Sequence, residues 1–126
     1  MAAYDICTDG SLLDGHPRGA GSFPKVVGRY VRELGLLPLE QAIHKMTGLP
    51  AEHMGLTERG SVAEGYIADL VLFDPDTIID RATTQAPYRL SEGVSDVWVA
   101  GRRVLQQGAM NDAFPGRVLR RASTDG

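Results

Sequence analysis

The chain has a single cysteine, Cys7, among 126 residues. One thiol cannot close an internal disulfide, and no cysteine-rich zinc site can be built from it. That usage fits a cytoplasmic protein. No apolar run approaches the roughly 20 residues that a membrane helix needs. The opening stretch Met1-Ala2-Ala3-Tyr4-Asp5 has neither a basic nor an apolar leader region, so no secretory signal is expected. Charge of one sign is also lacking: 13 basic against 16 acidic residues give a net charge of -3. No global basic field draws in nucleic acid or anionic lipid, so neither nucleic acid nor a membrane is an expected partner. The pairs Arg102–Arg103 and Arg120–Arg121 are expected to be solvated surface. There is no internal repeat.

What is present suits one small domain: 43% hydrophobic and 23% charged residues. A core of that size leaves a thin margin of stability. Residues 4–9 resemble a short strand running into a loop, with Cys7 as a small buried side chain. Residues 10–22, rich in glycine and proline, form a loop long enough to be functional. A helix is expected from an N-cap at Ser22, with Pro24 in its first turn. Phe23, Val26, Val27, Tyr30, Val31 and Leu34 make its apolar face. Gly35 closes it, and Gly28 permits close packing at a cost of about 1 kcal/mol in helix propensity. A second helix is expected over Leu39–Thr47, ended by Gly48, and a short third over Pro50–Met54, ended by Gly55. Gly60–Val62 reads as a short strand. Leu70–Phe73 reads as a strand buried on both faces. Residues 75–93 read as a long ordered loop. Val97–Val99 and Val104–Leu105 flank Ala100-Gly101 as a hairpin, with a type I turn and a bulge at Gly101. Trp98 is expected to pack rather than to bind, and Asp69 to bond nearby backbone. A flexible tail is expected at 121–126.

Several motifs carry a resemblance. They are Thr8-Asp9-Gly10 with His16-Pro17-Arg18, and Gly21-Ser22-Phe23-Pro24 with Gly28-Arg29-Tyr30-Val31-Arg32. Next come Lys45-Met46-Thr47 with Leu49-Pro50-Ala51, and Gly65-Tyr66 with Ala68-Asp69-Leu70-Val71. Asp80-Arg81-Ala82-Thr83, Glu92-Gly93 and Pro115-Gly116-Arg117-Val118-Leu119 complete the set. Together they resemble the amidohydrolase superfamily, and within it the N-acyl-D-amino-acid deacylases (D-aminoacylases).

The resemblance implies an α+β C-terminal portion of a larger metal-dependent hydrolase. Residues 1–59 would hold the last strand and closing helices of a (β/α)₈ barrel. Residues 60–120 would hold antiparallel strands of a small β-sandwich. It implies that Asp9 is the catalytic carboxylate and a candidate contact to the metal. Arg18 would grip the substrate α-carboxylate, helped by His16. The reaction implied is hydrolysis of N-acyl-D-amino acids. Zinc is expected for a full-length member. A catalytic zinc takes about three protein ligands, and here the histidines are His16, His44 and His53, with no His-x-x-x-His pair. The isolated chain is therefore expected to bind no metal and to be inactive, with the missing N-terminal barrel portion as its partner. The alternatives are a non-catalytic module that self-associates as a homo-oligomer or binds a partner, or part of a cyclic-amide hydrolase. The face of Phe23, Val27, Val31 and Leu34 would be bared for such association.

Overall fold

The computed structural model describes residues 4–8 and 15–120. Three helical stretches come first and a four-stranded antiparallel sheet follows. Helix α1 spans Arg18–Lys25 and continues without a break into a π-helical turn, Val26–Glu33. The expected N-cap at Ser22 is thus five residues late; the N-cap is Pro17. Ser22 lies inside the helix, and its hydroxyl donates back to the Arg18 carbonyl at 2.7 Å. Pro24 is also interior. It has no N–H to offer the Ala20 carbonyl one turn back, and the Ser91 hydroxyl donates to that carbonyl instead, at 3.3 Å. Loss of one rung and the following π-helical widening are a familiar pairing. Gly35, at φ 59°, accepts the left-handed turn that closes the helix, as expected.

Helix α2 is Leu39–Met46 and α3 is Gly48–Met54. Gly48 opens α3 rather than merely ending α2; the break falls at Thr47, whose backbone leaves the helical region at φ −133° and ψ −82°. Gly55 caps α3 at φ 67°.

The sheet runs in sequence order through β1 (Leu70–Phe73), β2 (Val94–Val99), β3 (Arg102–Gln106) and β4 (Ala109–Met110). Gly60–Val62 is not a strand. Strand β1 forms where expected, but it is not buried on both faces. Among the described residues it lies at the edge of the sheet, paired only with β2, and Val71 and Leu72 are 57% and 55% exposed. An uncharged apolar run at an open edge is unusual for a self-sufficient sheet.

Strand β2 carries the polar exception to the core, buried Asp96. Arg103 on β3 answers it, with Nε 3.5 Å from Oδ1. The same guanidinium stacks over Trp98, 4.9 Å from the ring centre. Arg103 is therefore half of a specific cross-strand pairing and not merely solvated surface. Trp98 does pack, half-buried, against its register partner.

The hairpin turn at Ala100-Gly101 has positive φ at both residues, 49° and 77°. Both central residues left-handed is the type I′ pattern, not the type I turn with a bulge. Alanine tolerates it because the turn is pinned from outside. The Ala100 N–H donates to Asp69 Oδ1 at 2.8 Å, and the Gly101 N–H to the Ala68 carbonyl at 2.9 Å. Asp69 thus serves backbone 31 residues away, while Arg59 holds its other oxygen. Ala100→Gly should relieve about 1–2 kcal/mol of left-handed strain against roughly 0.5–1 kcal/mol of added chain entropy. The expected result is a midpoint higher by about 2–5 °C in a thermal melt; a lower one would contradict the left-handed assignment.

The long stretch between β1 and β2 is ordered, as expected. Ile79 and Glu92 pair backbone to backbone, at 3.1 and 3.0 Å. Arg81 and Glu92 close the same neck through a 2.6 Å ion pair. That pair raises the Arg81 pKa and lowers the Glu92 pKa, chiefly by the shared hydrogen bond. Glu92 therefore contributes to stability above the ordinary carboxylate range and loses that contribution as pH falls through its lowered value. The pair is fully exposed, so its weight is small.

This neck packs on the first helix through glycine. A methyl group on Gly28 would lie 2.4 Å from the Ile78 carbonyl oxygen, and one on Gly21 would lie 2.9 Å from Asp80 Cβ. Close packing at Gly28 is as expected. Arg32 then reaches across and donates to the Pro75 and Ile78 carbonyls at 2.9 and 2.7 Å. The core between these layers is Val26, Val27, Ile78 and Ala82. Val27 is thus buried within this chain, and the bared apolar face is carried by Phe23, Tyr30, Leu34 and Leu36.

Candidate functional site

Residues 4–8 run beside the helices without pairing to a strand among the described residues. Their docking is specific nonetheless. The Ile6 N–H donates to the Lys45 carbonyl at 2.9 Å, and Lys45 Nζ donates to the Tyr4 carbonyl at 2.9 Å. Asp5 Oδ2 lies 2.8 Å from His53 Nδ1 on α3. Asp5 Oδ1 is buried without a hydrogen-bond donor among the described residues. Cys7 is exposed rather than buried.

Thr8 is the last described residue before the segment that contains Asp9, so Asp9 lies outside the described residues. Gly15 takes a left-handed turn at φ 67°. His16 is exposed, and its Nδ1 accepts the Arg18 N–H at 3.1 Å. His16 therefore shapes the entry to α1 and orients the residue behind it. Arg18 is the first residue of α1 and is exposed. The two residues expected to grip substrate are thus adjacent at one helix start.

Thr8 joins them across the gap. Its Oγ1 lies 3.2 Å from Ser22 Oγ, and Ser22 bonds the Arg18 carbonyl. Tyr88, from the long neck loop, stands over the same entry: a methyl on Gly15 would lie 3.7 Å from its hydroxyl. The Ser91 bond to Ala20 brings in the same loop. None of these partners was legible as a site residue. Ser22 looked like a helix cap, and Tyr88 and Ser91 are some 70 residues away in a stretch without periodicity.

No cluster of three metal-ligating side chains exists among the described residues. His44 is exposed on α2, and His53 is engaged by Asp5. The described residues therefore do not fit a zinc site by themselves. Two surface depressions lie elsewhere. Leu72, Phe73, Thr77 and Val94 line one, and Leu56, Ile67, Arg117 and Arg120 line the other. Neither includes His16 or Arg18.

The arrangement is an open one: His16 and Arg18 lie exposed at a helix start, against which the loop between β1 and β2 packs through Ser91. The chain belongs to the amidohydrolase family, whose profile matches residues 4–105. Within that family it is similar to enzymes that deacylate N-acyl-D-amino acids. It is 53% identical over 116 residues to the N-acyl-D-aspartate deacylase of Alcaligenes xylosoxydans xylosoxydans, a match covering 90% of this chain and 23% of that protein. Against the crystal structure of D-aminoacylase the TM-score is 0.81 at 50% identity, covering 84% of this chain and 22% of the other. Against the N-acyl-D-glutamate deacylase of Bordetella bronchiseptica, solved with zinc and a phosphonate mimic of the tetrahedral intermediate, the TM-score is 0.77 at 51% identity; 85% of this chain and 22% of that one are covered. The chain thus spans less than a quarter of the length of these relatives. No helix among the described residues is long and apolar enough to cross a membrane.

Proposed function

We propose that this chain is the C-terminal portion of a zinc-dependent N-acyl-D-amino-acid deacylase. It would supply the proton-transfer carboxylate and part of the substrate grip, while the metal ligands come from the absent portion. Residues 1–59 would end a (β/α)₈ barrel, and residues 60–120 would form part of a β-sandwich. The carrying observation is the pairing of a matched fold with an incomplete surface. At 50% identity the fold agrees with D-aminoacylase, yet Val71 and Leu72 on the edge strand and Phe23 and Leu34 on the helix lie open. Those are faces that further chain would cover.

In this reading Asp9 stands at the C-terminal end of a barrel strand, where barrel enzymes keep their reacting groups. Arg18 offers a planar fork of donors to the substrate α-carboxylate, a charge-assisted bidentate contact. His16, bonded to the Arg18 N–H, orients that contact. Zinc, when bound by the complete protein, would supply Lewis acidity.

The test is a hybrid in which this chain replaces the matching part of the Alcaligenes N-acyl-D-aspartate deacylase, assayed with zinc beside the isolated chain. The hybrid is expected to release D-amino acids from N-acyl-D-amino acids, and the isolated chain to give no release above the buffer rate. Robust turnover by the isolated chain, or a folded zinc-loaded hybrid without activity, would overturn the reading.

A further inference from the structure

The link between Thr8 and the first helix goes beyond ordinary helix chemistry. A serine inside a helix commonly bonds the carbonyl four residues back, and Ser22 does so to Arg18 at 2.7 Å. Its oxygen also lies 3.2 Å from Thr8 Oγ1, in partly buried surroundings. A hydroxyl has one proton to give and lone pairs to accept with. The single Ser22 proton is shared between the two acceptors, with the Arg18 carbonyl the nearer. The result is a chain of polar contacts from the Thr8 hydroxyl through the Ser22 hydroxyl to the Arg18 carbonyl. It crosses 14 residues of sequence and joins the two arms of the candidate site.

The rest of the strand-like segment is already fixed at its other end, by Ile6 on Lys45 and by Asp5 on His53. The Ser22 contact fixes the end nearest Asp9. We propose that Ser22 is a positioning residue: through Thr8 it sets the approach of the chain to Asp9 relative to the helix turn that presents Arg18. The roles of Asp9 and Arg18 rest on the deacylase reading; the hydroxyl chain between Thr8 and Arg18 does not. Small displacements matter at such a site, because misplacement by about 1 Å can cost about a hundredfold in rate.

The experiment has one arm without activity and one with it. In the chain itself, amide exchange of Ile6–Thr8 followed by NMR should quicken about tenfold in Ser22→Ala and stay within about threefold of the parent in Ser22→Thr, which keeps the hydroxyl. In the hybrid enzyme, Ser22→Ala should lower kcat/KM about tenfold through both a lower kcat and a higher KM, since it loosens both arms. Ser22→Thr should restore it. Thr8→Val should match Ser22→Ala, and the double variant should be no worse than either, the signature of one shared interaction. Unchanged exchange in Ser22→Ala, or an active hybrid in which Ser22→Ala matches the parent, overturns the proposal. So does a Ser22→Thr variant as impaired as the alanine. A hybrid inactive in every form, with exchange behaving as stated, counts against the deacylase reading and leaves the coupling standing.

Discussion

Asp9→Asn in the active hybrid is expected to lower kcat about a thousandfold while zinc content and melting temperature hold. Hydrolysis of an amide has two proton problems. The attacking water must lose a proton as it adds to the carbonyl, and the amine nitrogen must gain one before it leaves. A single carboxylate beside the reacting water solves both: it takes the proton in the first step and returns it in the second. Positioned acid–base groups of this kind contribute about 10²–10⁴-fold. Asparagine keeps the shape and the hydrogen-bonding reach but cannot hold the proton. The loss should therefore fall on kcat, because the group acts in the transition state, and KM should change little. About a thousandfold corresponds to roughly 4 kcal/mol of barrier. A structural aspartate that merely capped the turn at Gly10 would behave oppositely: the variant would melt earlier and keep its kcat. Activity within about fivefold of the parent at unchanged stability would remove Asp9 from the mechanism.

Local signals in the sequence located most elements but not their surroundings. The helix ends at Gly35 and Gly55 were legible because a left-handed residue is needed there and glycine supplies it. Strand β1 was legible from its apolar run, yet its burial was not. A run apolar on both faces states what the strand is built to meet, and among the described residues its pairing partner is β2 alone. The start of α1 was misplaced because Ser22 and Pro24 imitate a cap and a first turn. Only a serine 69 residues later, Ser91, makes proline tolerable in the interior by serving the Ala20 carbonyl. The hairpin turn type was missed for a similar reason. Alanine disfavours positive φ on its own, and the bond from Ala100 to Asp69 is tertiary. The second hairpin, closed by Gln107 and Gly108 at φ 48° and 79°, hid in a polar stretch without strand periodicity. For the site, the chemistry of Asp9, His16 and Arg18 was readable only through the resemblance. The second and third meet through the Arg18 N–H on the His16 ring, and Thr8 reaches this helix start through the Ser22 hydroxyl; such bonds leave little pattern in a sequence.

The largest structural effect is expected at Gly93, because two separate costs meet there. Gly93 sits at φ 85°, and a methyl group on it would lie 2.4 Å from both N and Cα of Ile78 and 2.8 Å from the Thr77 carbonyl carbon. Those are backbone atoms, and they cannot swing aside as a side chain can. From the opposite side, Gly28 presses to within 2.4 Å, by the same measure, of the Ile78 carbonyl oxygen. The Ile78 backbone is thus gripped between two glycines while its side chain is 4% exposed in the core. Alanine at Gly93 should cost about 1–2 kcal/mol for the left-handed backbone and about 1–3 kcal/mol for overpacking. Set against a whole-domain stability of about 5–15 kcal/mol, the sum is enough to halve a marginal fold. Gly65→Ala isolates the first cost. It has nearly the same φ, 82°, with nothing within 4 Å of the added methyl. Gly28→Ala isolates the second, since its φ is helical and only the Ile78–Ile79 backbone and side chain stand in the way. Urea denaturation of the three variants should rank Gly93→Ala as the most damaging, by at least about 1 kcal/mol over Gly65→Ala. Equal losses at Gly93 and Gly65 would mean that the two ends of the stretch between β1 and β2 do not pack together at Gly93 and Ile78.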